Sequence, residues 1–340
     1  MRFFISIRLV QLYCLIIRLL NMNSKSLMIK CFLATLIILF TSSFMFKTES
    51  SRPVISEKDF NACFPQRNKF YTYSAFLKAV SEMSFIKIKI EKRGDWIYKI
   101  TRTDKRTNKS VTVRQDKDWD ETWAKAKPYT VLNIDYGNFC FDKNLGANKK
   151  ELAALFAHIA HETRNGTNNK FNDGLMLITE SNTNEDYVVQ NVIYPAVAGK
   201  QYYGRGPLQL SYNGNYGFAF DCIFGNKNTL LNNPDLVNSD PVLAFKTAIY
   251  FWMTPQSLKP SAHDVMTGKW TPTVSDTQKN YRSGFGMTIN IINGKLECNK
   301  GDDNTAMKDR IGFYQYFLKK FNINDVNCAC SCGQMTPFAE

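Results

Sequence analysis

The stretch FAHIAHETRNG at residues 156–166 is rich in helix-forming residues and ends with His161 and Glu162 just before a polar, glycine-containing break. Eighteen residues beyond Glu162, the run LMLITES delivers Glu180. A lone glutamate at a helix end is by default a solvated side chain or a capping partner. A second carboxylate on the opposite wall of a groove changes that, because such a pair is the minimum equipment for hydrolysing a glycosidic bond. One carboxyl, in a less polar setting, protonates the leaving oxygen, and the other activates water or attacks the sugar.

A second informative segment runs from Gln201 to Gly217, QYYGRGPLQLSYNGNYG. Its mixture of aromatics, amides and glycines is wrong for a core helix. It suits a sugar groove, where aromatic faces cover C–H surfaces and amides pair with hydroxyl and acetamide groups. The competing reading is a tightly turned loop whose tyrosines pack internally. A phosphate loop does not fit, since no lysine follows in the required position and no dinucleotide fingerprint is present. His158, His161 and Glu162 could instead suggest a metallopeptidase, with two histidines at i, i+3 on one helical face. The order H-x-x-H-E is not the usual H-E-x-x-H, however, and His263 is the only other histidine.

These residues need a frame to hold them. Residues 54–83 carry two short helical patterns separated by a loop, with Ser74 placed to cap the second. IKIKIEK, WIYKITRT and VTVRQD alternate apolar and polar residues, so residues 85–135 read as a small β-meander. Helical patterning resumes at Lys149 and dominates thereafter. Asp240 and Pro241 stand as N-cap and first residue of an apolar helix, and residues 309–323 form an amphipathic one. LMLIT reads as strand-like, and residues 261–270 and 281–298 as loop-rich. The whole predicts a mainly α domain with a small β-rich insertion. Trp96, Trp119 and Trp123 in that insertion could form a binding surface or simply pack.

The N-terminus stands apart. Residues 31–46, CFLATLIILFTSSFMF, are almost wholly apolar and follow Lys25 and Lys30, the layout of a secretory signal peptide or a retained signal-anchor within a leader at 1–47. Six Lys and Arg of that leader account for part of the formal charge of +13, leaving +7 for the remainder. That charge shows no concentrated stripe, so nucleic acid is not an expected partner. Beyond the leader's Cys14 and Cys31, seven cysteines remain: Cys63, Cys140, Cys222, Cys298, Cys328, Cys330 and Cys332. Secretion predicts disulfides, and the odd count leaves at least one thiol over. The tail CACSCG lacks the second ligand cluster of a zinc site, and no metal or other cofactor is expected.

Four blocks resemble the plant-type chitinases of glycoside hydrolase family 19: FYTYSAFLKAV; FAHIAHET; QYYGRGPLQLSYNGNYG with NNPDLVNSDPVLAFKTAIYFWMTPQSLKPSAHDVMTGKWTP; and INIINGKLEC with DRIGFY. The resemblance covers about 54–332, interrupted by the insertion at roughly 85–140, with 333–340 left as a tail. It implies a lysozyme-like, two-lobed helical domain with a substrate cleft, acting on chitin or chito-oligosaccharides as a monomer. It further implies Glu162 as general acid, Glu180 as general base, and Ser211 holding the attacking water of an inverting endo-cleavage. Tyr202, Gln209, Asn215, Gln256, Lys259 and Asn293 would line the cleft, and Glu297 and Arg310 would form a charged triad with the acid. Cys298 would pair with one of Cys328, Cys330 or Cys332, and Cys140 would replace the lost partner of Cys63. The chain departs from the family pattern at Gly214, where a tyrosine is usual. It departs again at Arg164-Asn165, where glycines are usual, and at Val188 and Ala196, where a disulfide is usual. A non-catalytic chitin-binding protein or a muramidase on the same fold is the alternative, although retention of both glutamates argues against a pure binder.

Overall fold

The computed structural model describes residues 54–142, 144–166, 170–185, 187–256 and 259–338. The chain divides into two units, Met1–Arg52 and Pro53–Glu340, of which the second holds all the described residues. The expected leader at 1–47, with its apolar run at 31–46 and with Cys14 and Cys31, lies outside the described residues. Among those that are described, no helix is long and apolar enough to cross a membrane.

Two short helices open the second unit, α1 (Glu57–Cys63) and α2 (Tyr73–Met83). Thr72, rather than Ser74, caps α2. Its backbone is extended and its hydroxyl accepts the Ala75 N–H, while Ser74 already lies inside the first turn. Phe60, Phe64 and Phe76 from this region meet Phe156 and Phe245 with ring centroids 4.8–6.5 Å apart, an aromatic cluster at the centre of the core.

The insertion is a four-stranded antiparallel sheet of β1 (Ile86–Arg93), β2 (Ile97–Asp104), β3 (Lys109–Gln115) and β4 (Tyr129–Asp135), in the order β3-β2-β1-β4. Ile86, Ile88, Ile100 and Ile134 are buried against the body. The short helix α3 (Thr122–Lys125) precedes β4, and the buried Ile97, Trp119 and Ala124 make a second, smaller core there.

The central helix α4 (Leu145–Thr163) begins four residues before the periodic pattern at Lys149, because Asn144 caps it by accepting the Gly146 and Ala147 N–H groups. Every residue from Leu152 to Ala160 is buried, so α4 is packed on all sides. Then come α5 (Asn213–Phe224), α6 (Asn228–Asn232), α7 (Leu236–Ser239) and α8 (Pro241–Met253), the last capped by Asp240 with Pro241 in its first turn. The remaining helices are α9 (Ala262–Met266), α10 (Val274–Gln278), α11 (Phe285–Glu297) and α12 (Thr305–Lys320), with α12 lying along α4.

Two expectations fail here. Residues 281–298 are not loop-rich but contain α11, whose glycines and β-branched residues lower intrinsic helix propensity. Burial of every side chain from Phe285 to Ile291 overrides that propensity. LMLIT forms no strand; Thr179 makes only an isolated bridge to Arg205. The expected tail is also partly integrated, since Met335 is buried and Asn290 both donates to the Thr336 carbonyl and accepts the Phe338 N–H.

Cys298 is bonded to Cys332 and Cys328 to Cys330. Cys63 and Cys140 are not joined; together with Cys222 they are buried free thiols. Burial pushes the Cys63 thiol up to about 12, which keeps it protonated and unreactive.

Asp221 of α5 is buried, and its Oδ2 lacks a hydrogen-bond partner among the described residues. Burial raises its carboxyl to about 6. A folded-state pKa above the unfolded one contributes stability at low pH that is lost as the pH climbs through the folded value. Stability should therefore fall between about pH 4 and pH 6 in the wild type. Asp221→Asn should flatten that part of a urea-midpoint profile, and an unchanged profile would contradict this account.

Candidate active site

The break after α4 is built by Thr163. Its hydroxyl donates to the Ile159 carbonyl at 2.6 Å and accepts the Leu175 N–H at 2.7 Å. Its carbonyl accepts the N–H groups of both Met176 and Leu177. The returning chain is thereby stitched to the helix end. Gly174 permits the close approach, since a Cβ there would lie 2.6 Å from that of Ala160. Three residues past Leu177 comes Glu180, so the same stitching positions both glutamates.

Around Glu162 the structure gathers charge. The Arg310 guanidinium donates to Glu162 Oε1 at 2.5 Å and to Glu297 at 2.8–3.0 Å through Nη2 and Nε. The Asn293 amide donates to Glu297 at 2.8 Å, which it reaches because its own backbone leaves helical geometry inside α11. Side-chain exposure is 0% for Arg310, 1% for Glu297 and 21% for Glu162. Glu162 is therefore the only member of this trio open to the outside. Burial by itself would lower the pKa of Arg310, but the two carboxylates more than offset it and hold the guanidinium charged.

His158 completes the back of the cluster, and its tautomer follows from its partners. The Thr288 hydroxyl gives its single proton to the Phe285 carbonyl, so it must accept from His158 Nε2 at 2.8 Å. That leaves Nδ1 of His158 unprotonated to accept from Arg310 Nη1 at 3.2 Å. Burial, and then Arg310, push the imidazole well below its ordinary pKa, in keeping with a neutral ring. His161 points elsewhere, to Asp309 at 2.6 Å, and Arg164 bridges Asp309 and the buried Asp173. The two histidines therefore serve different partners, which removes the metallopeptidase reading. No group of three or more potential metal ligands occurs among the described residues.

Around Glu180 the polar groups are different. Its Oε1 accepts the Gly204 N–H at 2.5 Å, and its Oε2 accepts the Tyr187 hydroxyl at 2.8 Å. The hydrogen bond to Glu180 is the main reason the Tyr187 phenol is pushed up to about 12, with desolvation adding to it. Gly204 packs closely, since a Cβ there would fall 2.8 Å from Gln209 Oε1 and 3.3 Å from Ser211 Oγ, so a larger residue would make Gln209 shift. Those contacts place Gln209 and Ser211 beside Gly204, the residue whose N–H meets Glu180. A turn at Gly206–Gln209 is closed by paired Arg205 and Leu210 backbone bonds and by Gln209 Nε2 donating to the Gly206 carbonyl. Ser211 donates to the Gln209 carbonyl, and Asn215 to the Ser211 carbonyl. Beneath the turn, the buried Arg205 is fixed by Asp235, Tyr216 and two backbone carbonyls.

The remaining expected residues divide. Gln256 and Lys259 form a small bridge, and Lys259 Nζ donates to the Ile291 carbonyl of α11, which ties that loop to the element bearing Asn293. Tyr202 does not line the cleft. It is fully buried, donating its hydroxyl proton to the Leu231 carbonyl and accepting the Val197 N–H. An amphipathic tyrosine in a groove-like motif is indistinguishable by sequence from one that packs beneath it. Tyr187 is the residue that sequence reading missed; it sits in a polar loop with no periodicity to single it out. With Asn184, Glu185, Val188, Gln201 and Tyr212 it lines an open cavity of ≈ 560 Å³.

The loop without its expected disulfide is held by a side chain instead. Asn213 accepts the Val189 N–H and donates to the carbonyls of Val189 and Tyr194, bracing both limbs of the loop. Gly214 faces the same loop, and a Cβ there would lie 2.9 Å from Asn191 Nδ2.

A mainly helical fold with a small antiparallel sheet, two glutamates on adjoining segments and a charged triad behind one of them defines a lysozyme-like frame. The chain belongs to glycoside hydrolase family 19, chitinase class I, whose family pattern matches residues 106–330. It is 45% identical over 195 residues to an endochitinase of Pisum sativum, covering 56% of this chain and 59% of the relative. With an endochitinase of Persea americana it shares 44% identity over 227 residues, covering 64% and 68%. Among solved structures it resembles chitinase C from Streptomyces griseus HUT6037, with TM-score 0.56, 28% identity, and coverage of 83% and 81%. A family 19, class IV chitinase from Zea mays gives TM-score 0.51 and 27% identity, with coverage of 84% and 98%. The chain spans about three fifths of the length of several curated relatives, as with the 59%, 63% and 60% of the three from Pisum, Oryza and Solanum.

Arg310→Met should cost about 3–5 kcal/mol of unfolding free energy, because it leaves the buried Glu297 charge without its partner. Adding Glu297→Gln should recover a substantial part of that loss. Equal urea stability for the single and double variants would show that the pair does not act as a unit.

Proposed function

We propose that the chain is an endo-acting chitinase that cleaves β-1,4 N-acetylglucosamine linkages with inversion. In this reading Glu162 is the general acid, Glu180 the general base, and Ser211 helps hold the attacking water. The supporting observation is the contrast between the two carboxylates. Glu162 is the one open member of a cluster that holds two carboxylates, a single guanidinium and a neutral imidazole. As the exposed member, held in one direction by Arg310, it is the carboxyl from which a leaving oxygen could be reached, which suits a general acid. Both Glu180 oxygens instead accept hydrogen bonds, from Gly204 and Tyr187, which fix the orientation of the carboxylate as a base requires.

The catalytic sequence would run as follows. A chitin chain lies in the groove, with amide contacts from Asn215, Gln209 and Asn293. Glu162 gives its proton to the leaving glycosidic oxygen as the bond lengthens. Glu180 takes a proton from water held near Ser211, and that water attacks from the opposite face. The reading also makes the chain a secreted protein, supported by its apolar leader and by the two disulfides between residues 298 and 332.

Hydrolysis of chitin hexamer, with product anomers resolved by NMR, tests this directly. The wild type should release α-anomers first. Glu162→Gln and Glu180→Gln should each lower turnover by about 10²–10⁴-fold, the range for a lost acid or base. Tyr187→Phe should lower it by roughly tenfold, the worth of one hydrogen bond to a charged group. β-Anomers appearing first would overturn inversion, and saturable hexamer binding without turnover would leave a chitin-binding protein on this frame.

A further inference from the structure

The sheet insertion supplies none of the residues proposed for cleavage, yet its outer end carries a built cluster. Trp96 lies between β1 and β2 and Trp123 lies in α3, with ring centroids 5.8 Å apart and planes inclined at 35°. They are 56% and 47% exposed, whereas Trp119 and Trp252 are buried, so their exposure is not a general feature of the chain's tryptophans. The Lys127 ammonium sits 5.9 and 5.7 Å from the two ring centroids.

The base under these rings is firm. Ile97 and Ala124, the chain neighbours of the two exposed rings, form a small core with Trp119, and the Arg93 guanidinium covers the Trp119 ring at 4.5 Å. The Gly94 N–H donates to the Pro128 carbonyl at 2.8 Å, tying the β1–β2 turn to the chain leading into β4. The cluster also lies away from the sheet's anchorage. Arg102, paired with Ile88, donates to the Cys222 and Ile223 carbonyls near the C-terminal end of α5. Arg93 is five residues further along β1, roughly 17 Å. Ser211 and Asn215 belong to the opposite end of α5.

Size narrows the choice of ligand. A tryptophan side chain offers about 150–250 Å², so the half-exposed pair presents on the order of 200 Å². A stable protein interface uses about 800 Å² from each partner. The pair is too small for that but sufficient for the flat faces of one or two pyranose rings, with the lysine at the rim to donate to hydroxyl or acetamide oxygens.

We propose that Trp96, Trp123 and Lys127 form an accessory site for a β-1,4-linked chitin chain, separate from the cleft, which retains insoluble polymer near the enzyme. The identity of the polymer rests on the proposed function.

The test is partition of the full chain onto crystalline chitin, with microcrystalline cellulose and anionic phospholipid vesicles as parallel arms and soluble hexamer hydrolysis as an independent readout. Trp96→Ala/Trp123→Ala should raise the apparent Kd for crystalline chitin about tenfold, the loss of two modest ring contacts. Hexamer hydrolysis should stay within about twofold of wild type, since the proposed catalytic groups are untouched. Trp96→Tyr/Trp123→Tyr, which keeps a stacking face and guards against a folding artefact, should retain most of the binding. Unchanged retention on chitin in the alanine variant overturns the proposal, as does loss confined to cellulose or to vesicles. If wild type fails to cleave hexamer while retention on chitin still depends on the two rings, the catalytic reading falls and this site stands.

Discussion

A guanidinium with no exposed surface has to be neutralised where it lies, and much of this molecule is arranged to do so at Arg310. Arg310 stands on α12, and its three partners come from two other helices: Glu162 at the end of α4, His158 one turn back along α4, and Glu297 at the end of α11. An uncompensated charge in that position would cost several kcal/mol, so these helices are held to one mutual register. Glu162 thereby gains a fixed direction while remaining the cluster's only outlet to solvent.

The second carboxylate reaches the site by a different route, through backbone. Thr163 binds the return chain at Leu175, Met176 and Leu177, and Glu180 then meets the N–H of Gly204 across an isolated bridge. No helix or long strand fixes Glu180. A short ladder of main-chain bonds does, and it depends on the two glycines, Gly174 and Gly204, that let chains approach closely. This explains why both catalytic candidates sit in segments that look irregular beside a regular core.

That division also explains what could be read from the sequence. Glu162 and Asp240–Pro241 were legible because a helix end and an N-cap have local signatures. The meander was legible because alternation is a local pattern as well. α11 was not, since Phe285–Ile291 owes its helix to burial among distant residues, and its glycines and β-branched side chains suggest a loop. Tyr202 and Tyr187 were misjudged in opposite directions for one reason. The outward or inward aim of a tyrosine on an irregular segment is decided by partners such as Leu231 and Glu180, which lie 29 and 7 residues away. The absent disulfide at Val188 and Ala196 hid a similar non-local device, the three hydrogen bonds from Asn213.

The insertion shows how some fifty residues can enter such a constrained frame without disturbing it. Lys87, near its start, is the registered partner of Asp135, near its end, so the chain leaves and rejoins the body at neighbouring positions about 5 Å apart. Both Lys87 and Lys105 form ion pairs with Asp135, closing that neck. The frame therefore sees little more than a short connection between α2 and α4. The sheet fixes its own orientation through Arg102 and its buried isoleucine face, and its far end is left free to carry side chains the core does not need. An addition joined this way can acquire a surface of its own while the geometry at Arg310 stays unchanged.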